Sequence, residues 1–387
     1  MAKKWKLLIL LEATAGGTRK YIIDFLERID IERYDVVFAY SLTRADALFV
    51  EALPALERRG IRLVEIPMVR GISVRSDALG FWQIWRLIRS ERPDIVHGHS
   101  SKAGLLSRMA AKLSFVKTSS IFTPHGLSTH VNFKYWLIEK VASWFTDVAV
   151  AVSSSEYQDF QSQRLFGDRN SRLITLGLDC SKQYQPFAIR QHLGICEQAI
   201  VVASVGFLSD VKNPIGLLEI ARIVVGHNSN IHFLWIGDGH LREQAQAFIC
   251  DNDLGANCHL FGWHPTPQSI LKECDIFALT SHYESFGYVM CEAMVTELPV
   301  VATDVMGPRT VVADSTTGYL VPNGDWQAFA KIILMLGDLP ELRAQLGRMG
   351  KQRVAELFCI DKMVSATEDL YEDVVMTRQG VTRYLAQ

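Results

Sequence analysis

Short β-branched and aliphatic runs alternate with longer amphipathic stretches along this chain, and the alternation runs twice. No other feature constrains the fold as much, because parallel strands need crossover connections of a dozen or more residues, usually helical. In the first series, strands are expected at 6–11, 35–39, 62–66, 95–97, 120–123 and 147–152, and helices at 18–29, 81–90 and 103–113. In the second, strands are expected at 200–205, 231–236, 259–261, 276–279 and 300–303. Helices are expected at 214–225, 241–250, 287–295, 325–336 and 339–357, with a closing helix at 359–375. The join near 178–193 contains Pro186 and shows no period. The fold class is therefore α/β, with two Rossmann-like doubly wound domains facing across a cleft. They are expected over residues 1–190 and 191–358, with 359–387 as a C-terminal helix packing back on the first. Ligands in such sheets bind at the carboxyl ends of the strands.

A chain of 387 residues, 49% hydrophobic and 21% charged, can bury two cores of this kind and is not a disordered composition. The seven cysteines include no CxxC pair and none precedes Cys180, so they form neither a disulfide framework nor a zinc set. A reducing compartment follows. Lys3, Lys4 and Lys6 before the apolar run 7–11 superficially resemble a signal peptide, but Glu12 stops the run too soon. It reads as a buried strand. No apolar stretch approaches the roughly 20 residues of a membrane span.

The net charge of −2 is unevenly placed. Residues 1–190 hold 27 Lys+Arg against 19 Asp+Glu, and residues 191–387 hold 13 against 23. A basic first half suits an anionic lipid surface or a phosphate-bearing acceptor, or else an excess spread evenly over the surface. Residues 131–145 hold Phe133, Tyr135, Trp136, Trp144 and Phe145 with Lys134 and Lys140. They read either as an amphipathic helix making a peripheral membrane contact or as a core-facing helix with two exposed lysines. Nothing in the chain points to a nucleic acid.

The most informative stretch is 281–294. Glu284 and Glu292 bracket Phe286-Gly287, a strand leads in, and a helix is expected to start near Phe286 or Gly287 with Ser285 as its cap. If the intervening residues were helical, the two glutamate Cα atoms would stand about 12 Å apart. That is about the span from a sugar ring across a diphosphate to a ribose. A helix N-terminus suits the diphosphate, and Gly287 permits close approach. Glu292 could accept ribose hydroxyls and Glu284 sugar hydroxyls. The plain alternative is two solvated glutamates flanking an ordinary helix.

The run Glu284–x7–Glu292, with Phe286-Gly287 inside it and Ala293-Met294 at its end, resembles the signature of the family 4 retaining glycosyltransferases, which have the GT-B fold. Leu298–Thr303 and Gly318–Pro322 with Asp325 are similar to that family too, and the likeness covers nearly the whole chain. Gly16-Gly17 looks like its N-terminal glycine pair. Residues 94–104, with His97 and His99, look like its second loop, and Thr123–Gly126 like its histidine loop. Gly237-Asp238-Gly239 resembles its mid-domain turn.

The resemblance implies a role for each matching residue. Glu292 would hold the donor ribose and Glu284 the donor sugar, with Phe286, Gly287 and Gly237 lining the donor. Lys212 would stabilise the leaving diphosphate. His125 would act at the donor sugar. Gly16, Gly17 and His99 would lie on the acceptor side, His99 less definitely, while His97 reads as loop packing. Phe207 stands where the family usually has an arginine, so one phosphate clamp is missing, with Arg309 a candidate substitute. The acidic residue usual beyond that segment is absent, with Thr310 near its place.

The implied activity is transfer of a sugar, with retention, from a nucleotide-diphosphate sugar to a glycan or polyprenyl-linked acceptor in cell-surface polysaccharide synthesis. The implied location is the cytoplasm, at the inner membrane face if the acceptor is lipid-linked. No metal or other cofactor is implied, since the nucleotide sugar is a substrate. Asp251-Asn252-Asp253 reads as a turn rather than a metal triplet, and His97 and His99 lack nearby carboxylate or thiol ligands. A catalytically silent nucleotide-sugar-binding partner, which Phe207 keeps open, and a nucleotide-sugar epimerase of the same fold are the alternatives.

Overall fold

The computed structural model describes residues 4–127, 129 and 132–378. The chain divides into two compact units, residues 1–177 with 360–387, and residues 178–359.

The first unit alternates strand and helix: β1 (Trp5–Leu11), α1 (Gly16–Leu26), β2 (Tyr34–Tyr40), α2 (Ala47–Arg58), β3 (Arg62–Glu65), α3 (Val74–Glu91), β4 (Ile95–His99), α4 (Ser101–Leu113), β5 (Ser119–Thr123), α5 (Phe133–Ala142), β6 (Val148–Ala151), α6 (Ser154–Ser162) and β7 (Ser171–Leu173). All seven strands are parallel, in the order β3-β2-β1-β4-β5-β6-β7. The apolar run that mimicked a leader is β1, an interior strand of the sheet, with Leu7–Leu11 fully buried. Leu8, Leu10 and Val96 face Ile84 and Ile88 of α3 and Leu106 and Ala110 of α4. Arg108 of α4, fully buried, forms a two-pronged pair with Glu139 of α5 at 2.6 and 3.2 Å and lies over the Phe122 ring.

The second unit contains α7 (Ile189–Leu193), β8 (Ile200–Val205), α8 (Pro214–His227), β9 (Ile231–Ile236), α9 (Arg242–Asp251), β10 (Cys258–Gly262), α10 (Pro267–Leu271), β11 (Ile276–Leu279), α11 (Tyr288–Val295), β12 (Val300–Thr303), α12 (Met306–Val311), β13 (Gly318–Val321), α13 (Trp326–Asp338) and α14 (Pro340–Leu357). Its six strands are parallel, in the order β10-β9-β8-β11-β12-β13. Leu217, Ile220 and Val224 of α8 and Phe329 and Ile333 of α13 seal one face.

Helix α15 (Ile360–Arg378) returns to the first unit. Glu368 accepts the Asp30 N–H at 2.8 Å, and Arg378 holds the Asp94 carbonyl and carboxylate at 2.8 and 3.1 Å. Residues 379–387 of the expected closing segment, and residue 131 of the amphipathic stretch, lie outside the described residues.

The division at 177/178 precedes the expected 190/191. Leu178 donates its N–H to Phe358 O at 2.7 Å, and Arg190 reaches Ala199 O and the Asp275 carboxylate, so 178–190 is anchored to the second unit. Helix α3 begins at Val74 rather than 81; its first turns bury no apolar side chain and so extend the helix beyond the core-facing stripe. The short β7, α7, α10, α12 and β13 lie below what periodicity resolves. No helix among the described residues is long and apolar enough to cross a membrane.

Candidate active site

In each sheet the strand order reverses once, between β1 and β4 and between β8 and β11. Loops leaving the carboxyl ends of such a strand pair open a crevice where ligands bind. Gly16, Gly17 and His99 of the first unit and Lys212 and Glu284 of the second lie at these two reversal points.

In the second unit, β8 ends at Val205 and the chain passes through Gly206 and Phe207 to Lys212 and Asn213 before α8. Asn213, at φ 51°, caps α8 by accepting from the Gly216 N–H at 3.0 Å. From β11 the chain passes through buried Thr280 and Ser281 to Glu284. Backbone and hydroxyl bonds lace the two loops together: His282 N–H to Val211 O at 2.8 Å, and Thr280 Oγ1 to Asn213 O at 2.9 Å. Thr303 Oγ1 holds Ser281 O at 2.6 Å from the other side. Across this lacing the Lys212 ammonium meets the Glu284 carboxylate in an ion pair, both side chains largely covered.

Only the last part of the Glu284–Glu292 interval is helical. α11 starts at Tyr288, and Gly287 is its cap residue, with φ 91° and no side-chain cap bond. Ser285 is thus not the cap, the chain bends at residues 285 and 286, and the separation of a continuous helix does not apply. The physical reason is Gly287 itself, whose left-handed backbone turns the chain into the helix. A Cβ there would fall 2.5 Å from Met290 Cε and 3.1 Å from Glu284 Cγ. Glu292 lies within α11, 6% exposed. The Phe286 ring is a core group, 1% exposed and edge-on to Tyr288 and Phe358, so at the loop it offers its backbone.

Gly237 (φ 147°) ends β9, and a Cβ there would sit 2.0 Å from Gly206 O, so this turn and the β8 loop touch backbone to backbone. Phe207 projects outward, 57% exposed. Arg309 of α12 is held by Asp304 through two bonds, at 2.6 and 3.1 Å. Asp251-Asn252-Asp253 closes α9 as a turn, with Asp253 left-handed at φ 55°.

In the first unit, Gly16 and Gly17 open α1, and the Gly16 N–H donates to Asp46 at 3.3 Å. His97 and His99 lie on β4 with ring centroids 4.0 Å apart. His97 is bonded to Tyr371 of α15 at 2.7 Å and to Thr123 at 2.8 Å. His99 Nδ1 meets His125 Nε2 at 3.0 Å. His125 sits in a left-handed turn, φ 57°. Burial holds all three imidazoles neutral: those of His97 and His125 are pushed down to about 3, and His99 well below its usual value.

Sequence reasoning passed over three contributors. Glu156 of α6 is buried and accepts the Gly126 and Val152 N–H groups at 2.7 and 2.8 Å, fixing the loop after His125. Burial raises its carboxyl to about 7. The spacing Ser153-x-x-Glu156, a capping-box pattern, was the available signal. Asn213-Pro214 was a helix-start signal of the same kind. Gly307 of α12 donates its N–H to Glu284 O at 2.8 Å, and nothing local in the sequence marks that contact. Among the described residues no group of three or more His, Cys, Asp or Glu is placed to hold a metal ion.

Two units, each a parallel sheet flanked by helices, are the architecture of the GT-B glycosyltransferases. HepE of Anabaena in complex with UDP and glucose superposes with a TM-score of 0.80 at 19% identity, covering 95% of this chain and 99% of that one. Residues 15–182 match the model described as Glycosyltransferase Family 4, and residues 187–353 the model described as Glycosyl transferases group 1. The chain belongs to the family 4 glycosyltransferases. The capsular polysaccharide biosynthesis glycosyltransferase CapM of Staphylococcus aureus is 27% identical over 330 residues, 81% of this chain and 86% of its own. The UDP-Gal:alpha-D-GlcNAc-diphosphoundecaprenol alpha-1,3-galactosyltransferase of Escherichia coli is 27% identical over 334 residues, 82% and 85% of the two chains.

Proposed function

We propose that this glycosyltransferase takes a sugar from a nucleotide-diphosphate sugar, with retention at the anomeric carbon, and adds it to a glycan or polyprenyl-linked acceptor in cell-surface polysaccharide synthesis. The Lys212–Glu284 pair at the β8/β11 reversal carries this reading. A carboxylate and an ammonium held together there keep each other ready for a ligand with one anionic and one hydroxyl-rich part. On donor binding the diphosphate takes over Lys212, and Glu284 is released to the sugar hydroxyls. Glu292, on α11 beyond the Gly287 turn, takes the ribose, and the Phe286, Gly287 and Gly237 backbones line the donor. As negative charge builds on the departing diphosphate, Lys212 stabilises it in a partly desolvated site where such help is largest. Arg309 supplies a second cation only by leaving Asp304.

Neutral His125 offers a hydrogen bond at the sugar without a competing charge. Gly16, Gly17 and His99 serve the acceptor side. The reaction needs no metal or other cofactor. The relatives named above motivate the acceptor class, and the free state of all seven cysteines accords with the cytoplasmic location that is part of this proposal.

The test is a nucleotide-sugar panel read by thermal shift and by nucleoside diphosphate release, with and without lipid-linked acceptors. One donor is expected to stabilise the protein and to release diphosphate only with acceptor, and the product is expected to keep the donor's anomeric configuration by NMR. Lys212→Ala is expected to lower kcat about 100-fold or more. Stabilisation without release under any acceptor would replace transfer by donor binding alone, and no response to any donor would end the proposal.

A further inference from the structure

Helices α3, α4 and α5 lie side by side on the first unit, α3 along α4 and α4 against α5. Their outward surface departs from ordinary polarity. On α3, Arg75, Leu79, Trp82, Arg86 and Arg89 are exposed at three- and four-residue steps, one continuous stripe. On α5, Phe133, Leu137 and Val141 recur at four-residue steps, and Trp144 continues the line one turn on. Phe133 is 71% exposed and Trp144 74%. Between them α4 ends in Lys112 and Leu113, followed by Phe115, 90% exposed. The core-facing alternative for residues 131–145 therefore fails for this stripe. Most of the exposed large apolar side chains among the described residues fall within 72–144, far beyond the scattered single residues normal on a surface.

The charge on this face has one sign. The three helices carry only three acids, Asp77, Glu91 and Glu139. Each is taken up by a cation: Asp77 by Lys102 at 2.5 Å, Glu91 by Arg62 and Lys6 at 2.7 and 3.2 Å, and Glu139 by buried Arg108. The neighbouring Asp147 is matched by Lys112 at 3.7 Å. The outward arginines lean instead on rings, Arg86 over Trp82 and Arg89 over Trp85.

We propose that the α3–α4–α5 face docks the protein on an anionic lipid bilayer, with the helices lying in the headgroup plane. Indole and phenyl rings settle at headgroup depth, aliphatic side chains reach the acyl boundary, and interleaved cations meet lipid phosphates. A second copy of the chain is a poorer occupant, because an isologous contact would set this positive face against itself. The inference does not depend on which donor the enzyme uses or on whether it transfers.

The test is co-sedimentation of the full-length protein with vesicles of phosphatidylcholine, with and without phosphatidylglycerol, over a range of salt. Binding is expected only to the anionic vesicles and is expected to weaken as salt rises. Replacing Arg75, Arg86 and Arg89 together by Gln should weaken it about 100-fold, at about fivefold for each charge near the surface. A second variant, Trp82→Ser with Phe133→Ser and Trp144→Ser, should lose binding at every salt concentration while keeping the wild-type far-UV spectrum. Brominated lipid should quench tryptophan emission in the wild type and not in this variant. Absence of binding to anionic vesicles, or wild-type binding by either variant, overturns the proposal. So does a concentration-dependent dimer without lipid affinity that the apolar variant abolishes, which would make this face a contact between copies.

Discussion

Gly307→Ala offers a sharp test of how the second unit holds Glu284. A Cβ at Gly307 would lie 2.7 Å from Phe286 O and 2.8 Å from Glu284 O and Phe286 N. All three are backbone atoms, so no side chain can swing aside, and ordinary contact requires about half an ångström or more of relief. Either α12 or the 284–287 bend must move. Overpacking of this kind costs about 1–3 kcal/mol. For a unit of this size that is a fall of about 2–4 °C in melting temperature per kcal/mol. Movement of the bend also carries Glu284 off its position against Lys212, and a displacement near 1 Å at a positioned group costs about 100-fold in turnover. The assay pairs scanning calorimetry with diphosphate release at a temperature below both transitions. Gly347→Ala is the control. Its Cβ would fall 1.9 Å from Glu297 O, at the far end of α11 from the bend. It is expected to lose as much stability or more while keeping near-wild-type turnover. Wild-type turnover and stability in Gly307→Ala, or an equal loss of turnover in Gly347→Ala, would refute the geometric link between α12 and Glu284.

Two further outcomes follow from the first unit. Arg108→Ala leaves the buried Glu139 carboxylate without its partner and should cost about 3–5 kcal/mol in urea unfolding, whereas Arg108→Met with Glu139→Leu should recover most of that. The opposite ranking would show that the pair itself supplies the stability. The histidine cluster sets an acid limit. His97 and His125 have folded values near 3, below the unfolded 6.5, so their contribution is complete above pH 6.5 and is lost as pH falls toward 3. Each removes up to about 1.4 kcal/mol per pH unit in that window. Glu156 has the opposite sign: its folded value near 7 exceeds the unfolded 4.5, so its contribution is present below pH 4.5 and lost as pH rises through 7. It offsets about one histidine in between. The urea midpoint should fall with pH below 6.5, and the fall should be shallower in His97→Gln; parallel slopes would contradict neutral burial.

The sequence alone determined the class of fold and singled out the residues of the candidate site. Two series of βα units were legible because strand and helix periods are local properties of side-chain order, and β1 was recognisable as buried strand because Glu12 stops its apolar run. Glu284, Lys212 and His125 could be singled out for the same reason: short motifs keep their spacing whatever surrounds them. Long-range order was decided only by tertiary structure. Strand order placed the Lys212 and Glu284 loops at one reversal point, and only then could the two side chains pair. The left-handed turn at Gly287 replaced the expected cap at Ser285, since one glycine's backbone freedom outweighed a serine's capping preference. Arg190 drew 178–190 into the second unit through two carbonyls and a carboxylate beside the first residues of β8 and β11. The outward turn of Phe133, Leu137 and Trp144 could not be read either, because the period of an amphipathic helix says which residues share a face and not what that face meets.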